Sequence, residues 1–254
     1  MKKTEIGEDL YQYIFPEDEN RVYGFNIFAL IHDNKALVID TAYMEQAQMV
    51  RKDLEENGIK PEMVFISHYH PDHTGGSEVF KDCEIIGSVD YEESLNYCKS
   101  WSPDTVHLAP TRVMADGDSL DFGPFHVKVL QTPGHSSCSI SLVLNDQWVH
   151  VGDLVMASNH GEGLLPVVAV NGSFEEHIRS LKRIKNLGME KLLLAHGKTI
   201  EGKEKIAVEI DDRVSYLNKV LESKGTLTAE ESLQDCTRKF LCHQWHNSNI
   251  KKFT

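Results

Sequence analysis

Apolar residues fall along this chain in short bursts set between polar, turn-rich links. Residues 25–31 (FNIFALI) and 35–40 (KALVID) are two such bursts, and they read as paired strands across a turn. Residues 44–58 place Met44, Ala47, Val50 and Leu54 at helical spacing, with Gly58 as the stop. The run 63–67 (MVFIS) predicts a buried strand, 84–88 another, and 91–98 a helix. Residues 125–131 (FHVKVLQ) alternate as a half-buried strand does, and two further strands flank the turn at Asn145-Asp146. Residues 173–188 carry Phe174, Ile178, Leu181, Ile184 and Leu187 on one helical face, between a Ser173 cap and a Gly188 stop. A buried strand follows at 191–197, and the chain from Lys203 onward reads as two helices divided near Lys224-Gly225.

A loose echo runs through this pattern. A strand ending in Asp40 leads to a helix and then to a strand ending in His68. A strand ending in Asp153 leads to a helix and then to a strand ending in His196. Two such halves would pack sheet on sheet with helices outside, bringing their strand ends to one edge. The expected division is a catalytic domain over residues 1–202 with a helical extension, 203–254, packed on it.

Composition narrows the partners. With 254 residues, 41% of them hydrophobic, the chain can bury one substantial core. A formal net charge of −13 is repelled by nucleic-acid phosphates and anionic membranes, so nucleic acid is disfavoured as a partner. The first residues lack the apolar core of a signal peptide, and no apolar run approaches a membrane span. Five scattered cysteines with no CxxC pair suit a reducing compartment. The expectation is a cytoplasmic protein acting on a small molecule, with homodimerisation left open.

The densest chemistry lies in FISHYHPDHTGG, residues 65–76, where His68, His70, Asp72 and His73 follow a buried strand. Imidazole and carboxylate are good ligands for borderline divalent metals. One tetrahedral ion cannot use every candidate donor. Alternation lets His68 and His70 face one ion, while Asp72 and His73, past the Pro71 turn, face a second. Further donors must come from elsewhere, and His135 (TPGHS), Asp153 (VGDL) and His196 (LAHG) stand at strand ends. Taken singly, His196 reads as a strand-end histidine and Asp153 as a turn cap. Their joint occurrence in order favours the metal.

The succession SHYHPDHTGG, TPGHS, GDL and LAHG resembles the metallo-β-lactamase fold hydrolases, over roughly residues 20–200. The resemblance implies an α+β, four-layer αββα sandwich with a two-metal site at its edge. By position, His68, His70 and His135 would bind one ion, Asp72, His73 and His196 the other, and Asp153 would bridge them. Asp40 matches an aspartate that lies beneath the histidine loop. Asp72 and Asp153 are the carboxylates tied most closely to catalysis. The implied cofactor is two divalent ions, zinc in first place with iron or manganese as alternatives, which would activate a bridging hydroxide. Ser136, Ser137 and Cys138 are then not needed as nucleophiles.

Within the family, Asp153 and the missing export signal point away from true β-lactamases. Met156 stands where acyl-homoserine lactonases carry tyrosine. Residues 174–197 followed by 210–232 resemble a glyoxalase-II-like branch, which favours an ester, thioester or lactone substrate. A phosphodiesterase or ribonuclease of the same fold, a redox relative, and a metal-stabilised binding module are the alternatives. Tyr23, Phe25 and His160 are candidate substrate contacts, each with a bland alternative in core packing or a surface loop. His243 and His246 read as a solvated helix face.

Overall fold

The computed structural model describes residues 1–253. A seven-stranded sheet runs in the order β1 (Lys2–Gly7), β2 (Leu10–Phe15), β3 (Phe25–His32), β4 (Lys35–Ile39), β5 (Lys60–Phe65), β6 (Glu84–Ser88) and β7 (Arg112–Met114). Helices α1 (Met44–Glu56), α2 (Pro71–Thr74) and α3 (Tyr91–Trp101) lie between its strands in sequence. The second sheet holds β8 (Ser119–Phe122), β9 (Phe125–Gln131), β10 (Ile140–Leu144), β11 (Trp148–His150), β13 (Lys191–Leu193) and β14 (Ile200–Glu201), in the order β14-β13-β11-β10-β9-β8. Helices α4 (Phe174–Asn186) and α5 (Lys203–Glu222) pack on that sheet. A parallel pair, β12 (Gly163–Leu164) with β15 (Phe240–Leu241), and short helices α6 (Ala229–Leu233) and α7 (His246–Ile250) complete the chain.

Three apolar layers hold this α+β, αββα arrangement together. Phe28, Leu37 and Phe65 meet Val127, Leu142 and Leu193 between the sheets. Ala47, Val50 and Leu54 of α1 cover the outer face of the first sheet, as their spacing predicts. Leu181 and Ile184 of α4, with Ile206, Ile210 and Tyr216 of α5, cover the second. The Ser173 side chain caps α4 by accepting from the Glu176 N–H.

Two elements depart from the hydrophobic pattern. The β1–β2 hairpin is half polar, and its positions are held from outside: Lys3 and the Tyr13 hydroxyl both donate to Asp53 of α1 at 2.8 Å. Gly7 leaves room for the Trp148 ring, which a Cβ there would strike at 1.9 Å. The C-terminal segment is not two helices. After α5 it breaks into short pieces around β15, and Tyr216 and Ile250 join the core beneath the second sheet. His246 is therefore buried rather than solvated. Its Nδ1 pairs with the Tyr216 hydroxyl at 2.8 Å and its Nε2 donates to Leu227 O. His243 sits in a 3-10 turn and donates to Phe240 O.

Candidate metal centre

Strand ends converge at one edge of the sandwich. Asp40 follows β4, and His68 and His70 follow β5, its parallel neighbour. Pro71 opens the single turn of α2, a position its fixed φ suits, and that turn carries Asp72 and His73. His135 lies between β9 and β10, Asp153 in the 3-10 turn Gly152–Leu154 after β11, and His196 after β13. Glycines let these loops pass closely. A Cβ on Gly197, at φ +90°, would lie 2.1 Å from Ala157 O, and one on Gly134 would strike His177. Two ties hold the sheets in register here. The Asn26 side chain of β3 donates to Leu194 O and Gly197 O at 2.7 Å, and the Ile140 N–H donates to Ser67 O.

All seven residues singled out as metal ligands meet at this edge, in two groups that share Asp153. In the first, His70 Nδ1 lies 3.0 Å from both His68 Nε2 and His135 Nε2, with Asp153 Oδ2 3.4 Å from His135 Nε2. In the second, Asp153 Oδ1 lies 3.2 Å from both His73 Nε2 and His196 Nε2, and Asp72 Oδ2 is 3.4 Å from His196 Nε2. Within each group of four, the ligand atoms lie within 4.8 Å of one another.

Hydrogen bonds set the imidazoles before any ligand arrives. His73 Nδ1 donates to Asp40 Oδ2 at 2.8 Å, His135 Nδ1 to Val167 O at 2.9 Å, and His196 Nδ1 to Gly24 O at 2.9 Å. In its neutral form each ring turns a lone pair on Nε2 toward the centre. Asp40 is itself fixed by the Ser67 N–H and hydroxyl, both at 2.8 Å. Its φ of +60° suits aspartate or asparagine and few other side chains.

This donor set fits divalent cations. His73 Nε2, His196 Nε2 and Asp153 Oδ1 are buried with no hydrogen-bond partner, a costly state unless a cation sits among them. Burial pushes the His196 pKa down, but Asp153 and Asp72 outweigh it and raise it to about 10. His70, pressed by burial and by His135, is lowered to about 3. The centre thus draws positive charge, and its geometry offers that charge imidazole and carboxylate donors.

A family model of the metallo-beta-lactamase superfamily matches residues 22–196, more than half of the chain. The chain belongs to the metallo-β-lactamase superfamily. Among curated relatives, the hydroxyacylglutathione hydrolase of Brucella canis is 26% identical over 260 residues, covering 99% of this chain and 91% of that protein. The one from Brucella ovis is 27% identical over 235 residues, covering 89% and 85%. Solved structures share the fold at lower identity. The metallo-beta-lactamase from Pontibacter korlensis aligns with a TM-score of 0.68 at 15% identity, covering 84% of this chain and 98% of that one. The DIM-1 metallo-beta-lactamase aligns at 0.64 and 13%, covering 83% and 95%.

A cavity of ≈ 710 Å³ opens over this centre. His70, Asp72, His135, Asp153 and His196 form its floor, and Tyr23, Trp101, Met156, residues 167–170 and Trp245 line it. Of the three expected substrate contacts, Tyr23 reaches the cavity, its ring edge-on to His196 and Trp245. Phe25 does not. It is buried behind the centre, with its ring against His196 and Tyr43. His160 lies outside the cavity, exposed and paired with Glu17 at 2.9 Å. Ser136 and Ser137 bond to Ser94 and Asn171 rather than facing the floor.

Sequence reasoning missed the residues that build and hold these walls. Asn249 Oδ1 accepts from the Val168 N–H, and its Nδ2 donates to Pro166 O and the Tyr216 hydroxyl. The buried Arg213 of α5 donates to Met156 O at 2.7 Å. No local motif marks either residue, because each acts on a loop more than fifty positions away.

Proposed function

We propose that this chain is a hydrolase using two divalent metal ions, zinc in first place, to cleave an ester, thioester or lactone bond in a small molecule. One observation carries the reading: Asp153 divides its two carboxylate oxygens between two histidine-rich groups. His68, His70 and His135 with Asp153 Oδ2 would hold one ion, and Asp72, His73 and His196 with Asp153 Oδ1 the other. When bound, such a pair acidifies water and polarises a carbonyl or phosphoryl oxygen. The residues supply the rest. Asp40, Val167 O and Gly24 O keep three imidazoles in the ligating tautomer. Asp72 and Asp153 offset the charge of the pair, and the cavity walls exclude bulk water from the floor.

The relatives named hydroxyacylglutathione hydrolase support an acyl bond over a phosphodiester, as does the net charge of −13. Among the described residues no helix is long and apolar enough to cross a membrane. All five cysteines are unpaired, and we place the protein in the reducing cytoplasm on that ground. The test is turnover of p-nitrophenyl esters, thioesters, lactones and bis-p-nitrophenyl phosphate by protein loaded with Zn²⁺, Mn²⁺ or Fe²⁺. Metal-dependent turnover of an ester-type substrate is expected. Turnover of the phosphodiester or of single-stranded RNA alone would overturn the reading.

A further inference from the structure

The cavity is polar at its floor and apolar above it. Trp101 ends α3 and stands beside the first ligand group, its ring 5.7 Å from that of His70. Trp245 stands beside the second group, packed through Tyr23 onto His196. Met156 and residues 167–170, Val-Val-Ala-Val, form a further stretch of wall, and Ser248, Lys251 and Lys252 of the C-terminal segment complete it. Two of these groups, Trp101 at 51% and Val170 at 67%, are left facing solvent at the cavity. Exposed apolar surface grouped around a concave site marks what the site covers.

Polar groups at the rim give a further sign. Lys252 Nζ donates to three backbone carbonyls, Ala169 O and Gly172 O at 2.7 Å and Val170 O at 3.0 Å. Its charge anchors the valine-rich loop to the C-terminal segment.

We infer that the cavity selects a substrate whose acyl portion is an uncharged, apolar chain or ring. This rests on the hydrolase reading above. The acyl carbon sits over the floor while the chain lies along Trp101, Met156 and the 167–170 wall. The relatives' name describes a polar hydroxyacyl group, so the chain departs here from what that name describes.

A homologous series of p-nitrophenyl esters, acetyl to octanoyl, read against a hydroxyacyl thioester of glutathione, tests this on the metal-loaded protein. Each methylene that reaches the wall should raise kcat/KM by about two- to fourfold. The octanoyl ester should then exceed the acetyl ester by well over an order of magnitude, and the glutathione thioester should be the poorer thioester when set beside an apolar acyl thioester of an uncharged thiol. Trp101→Ala, at a half-exposed position, should lower the octanoyl-to-acetyl ratio by about fivefold. A flat or falling series, or a preference for the glutathione thioester, would overturn this inference and leave the hydrolase reading standing. Turnover of no ester or thioester at all, with cleavage of bis-p-nitrophenyl phosphate, would overturn both.

Discussion

The floor and the walls of the cavity are built on opposite principles. Floor residues are polar, mostly buried, and three of the histidines around the centre are fixed by hydrogen bonds that they donate to Asp40, Val167 O and Gly24 O. Wall residues are mainly apolar, range from buried Met156 and Val168 to exposed Trp101 and Val170, and sit largely on loops that the C-terminal segment holds in place. Polar donors and apolar surround thus sit on different parts of the molecule, joined where Val167 O accepts from His135 Nδ1.

Substitutions should separate the two. The largest effect belongs to Asp153→Asn. It keeps the size but removes the charge placed between the two ligand groups, so turnover should fall by several orders of magnitude and bound metal should fall with it. Circular dichroism should stay native, since Asp153 belongs to no packed apolar layer. Near-normal turnover with full metal would make Asp153 a turn residue and dissolve the distinction between floor and walls.

Asp40→Asn should cost less. Asparagine tolerates the positive φ at this position, yet it weakens the hold on His73 Nδ1. Metal affinity should fall about 10–100-fold, measured by competition with a chromophoric chelator. Unchanged affinity would show that Ser67 alone fixes the histidine loop.

Asn249→Ala tests the link between the regions. Asn249 holds residues 166–168, and Val167 O holds His135. Losing its buried hydrogen bonds should cost about 1–3 kcal/mol of stability by chemical denaturation. Metal affinity should drop by about tenfold or less, since the effect reaches His135 through one carbonyl. A stability loss with no change in affinity would mean that the loop keeps its place without Asn249. His160→Ala should be the smallest change, because the imidazole is exposed and outside the cavity. A shift in KM would place His160 on the substrate after all.

These regions also differ in what the chain reveals before it folds. Asp40, His68, His70, Asp72, His73, His135, Asp153 and His196 stand out because reactive side chains follow apolar runs, a local signal. Strand β3, α1 and α4 are legible for the same reason: their period matches their environment. The β1–β2 hairpin is obscure because Lys3 and Tyr13 are satisfied by Asp53, forty or more positions away. Residues 229–253 mislead because short helices there are held by Tyr216 and Arg213, not by their own amphipathicity. No local signal marks Trp101 and Trp245, and tertiary placement alone makes them walls. Met156 is legible as a departure from a related pattern, yet its carbonyl bond to Arg213 is not.

The central claim is that this edge of the sandwich is a centre for two cations bridged by one carboxylate. Elemental analysis of protein purified without chelator, followed by stepwise metal addition to chelator-stripped protein, addresses it directly. The expected result is close to two divalent ions per chain, with turnover rising as the second is added. One tight ion per chain, with no gain on adding another, would contradict the account and reduce the second ligand group to a structural cluster.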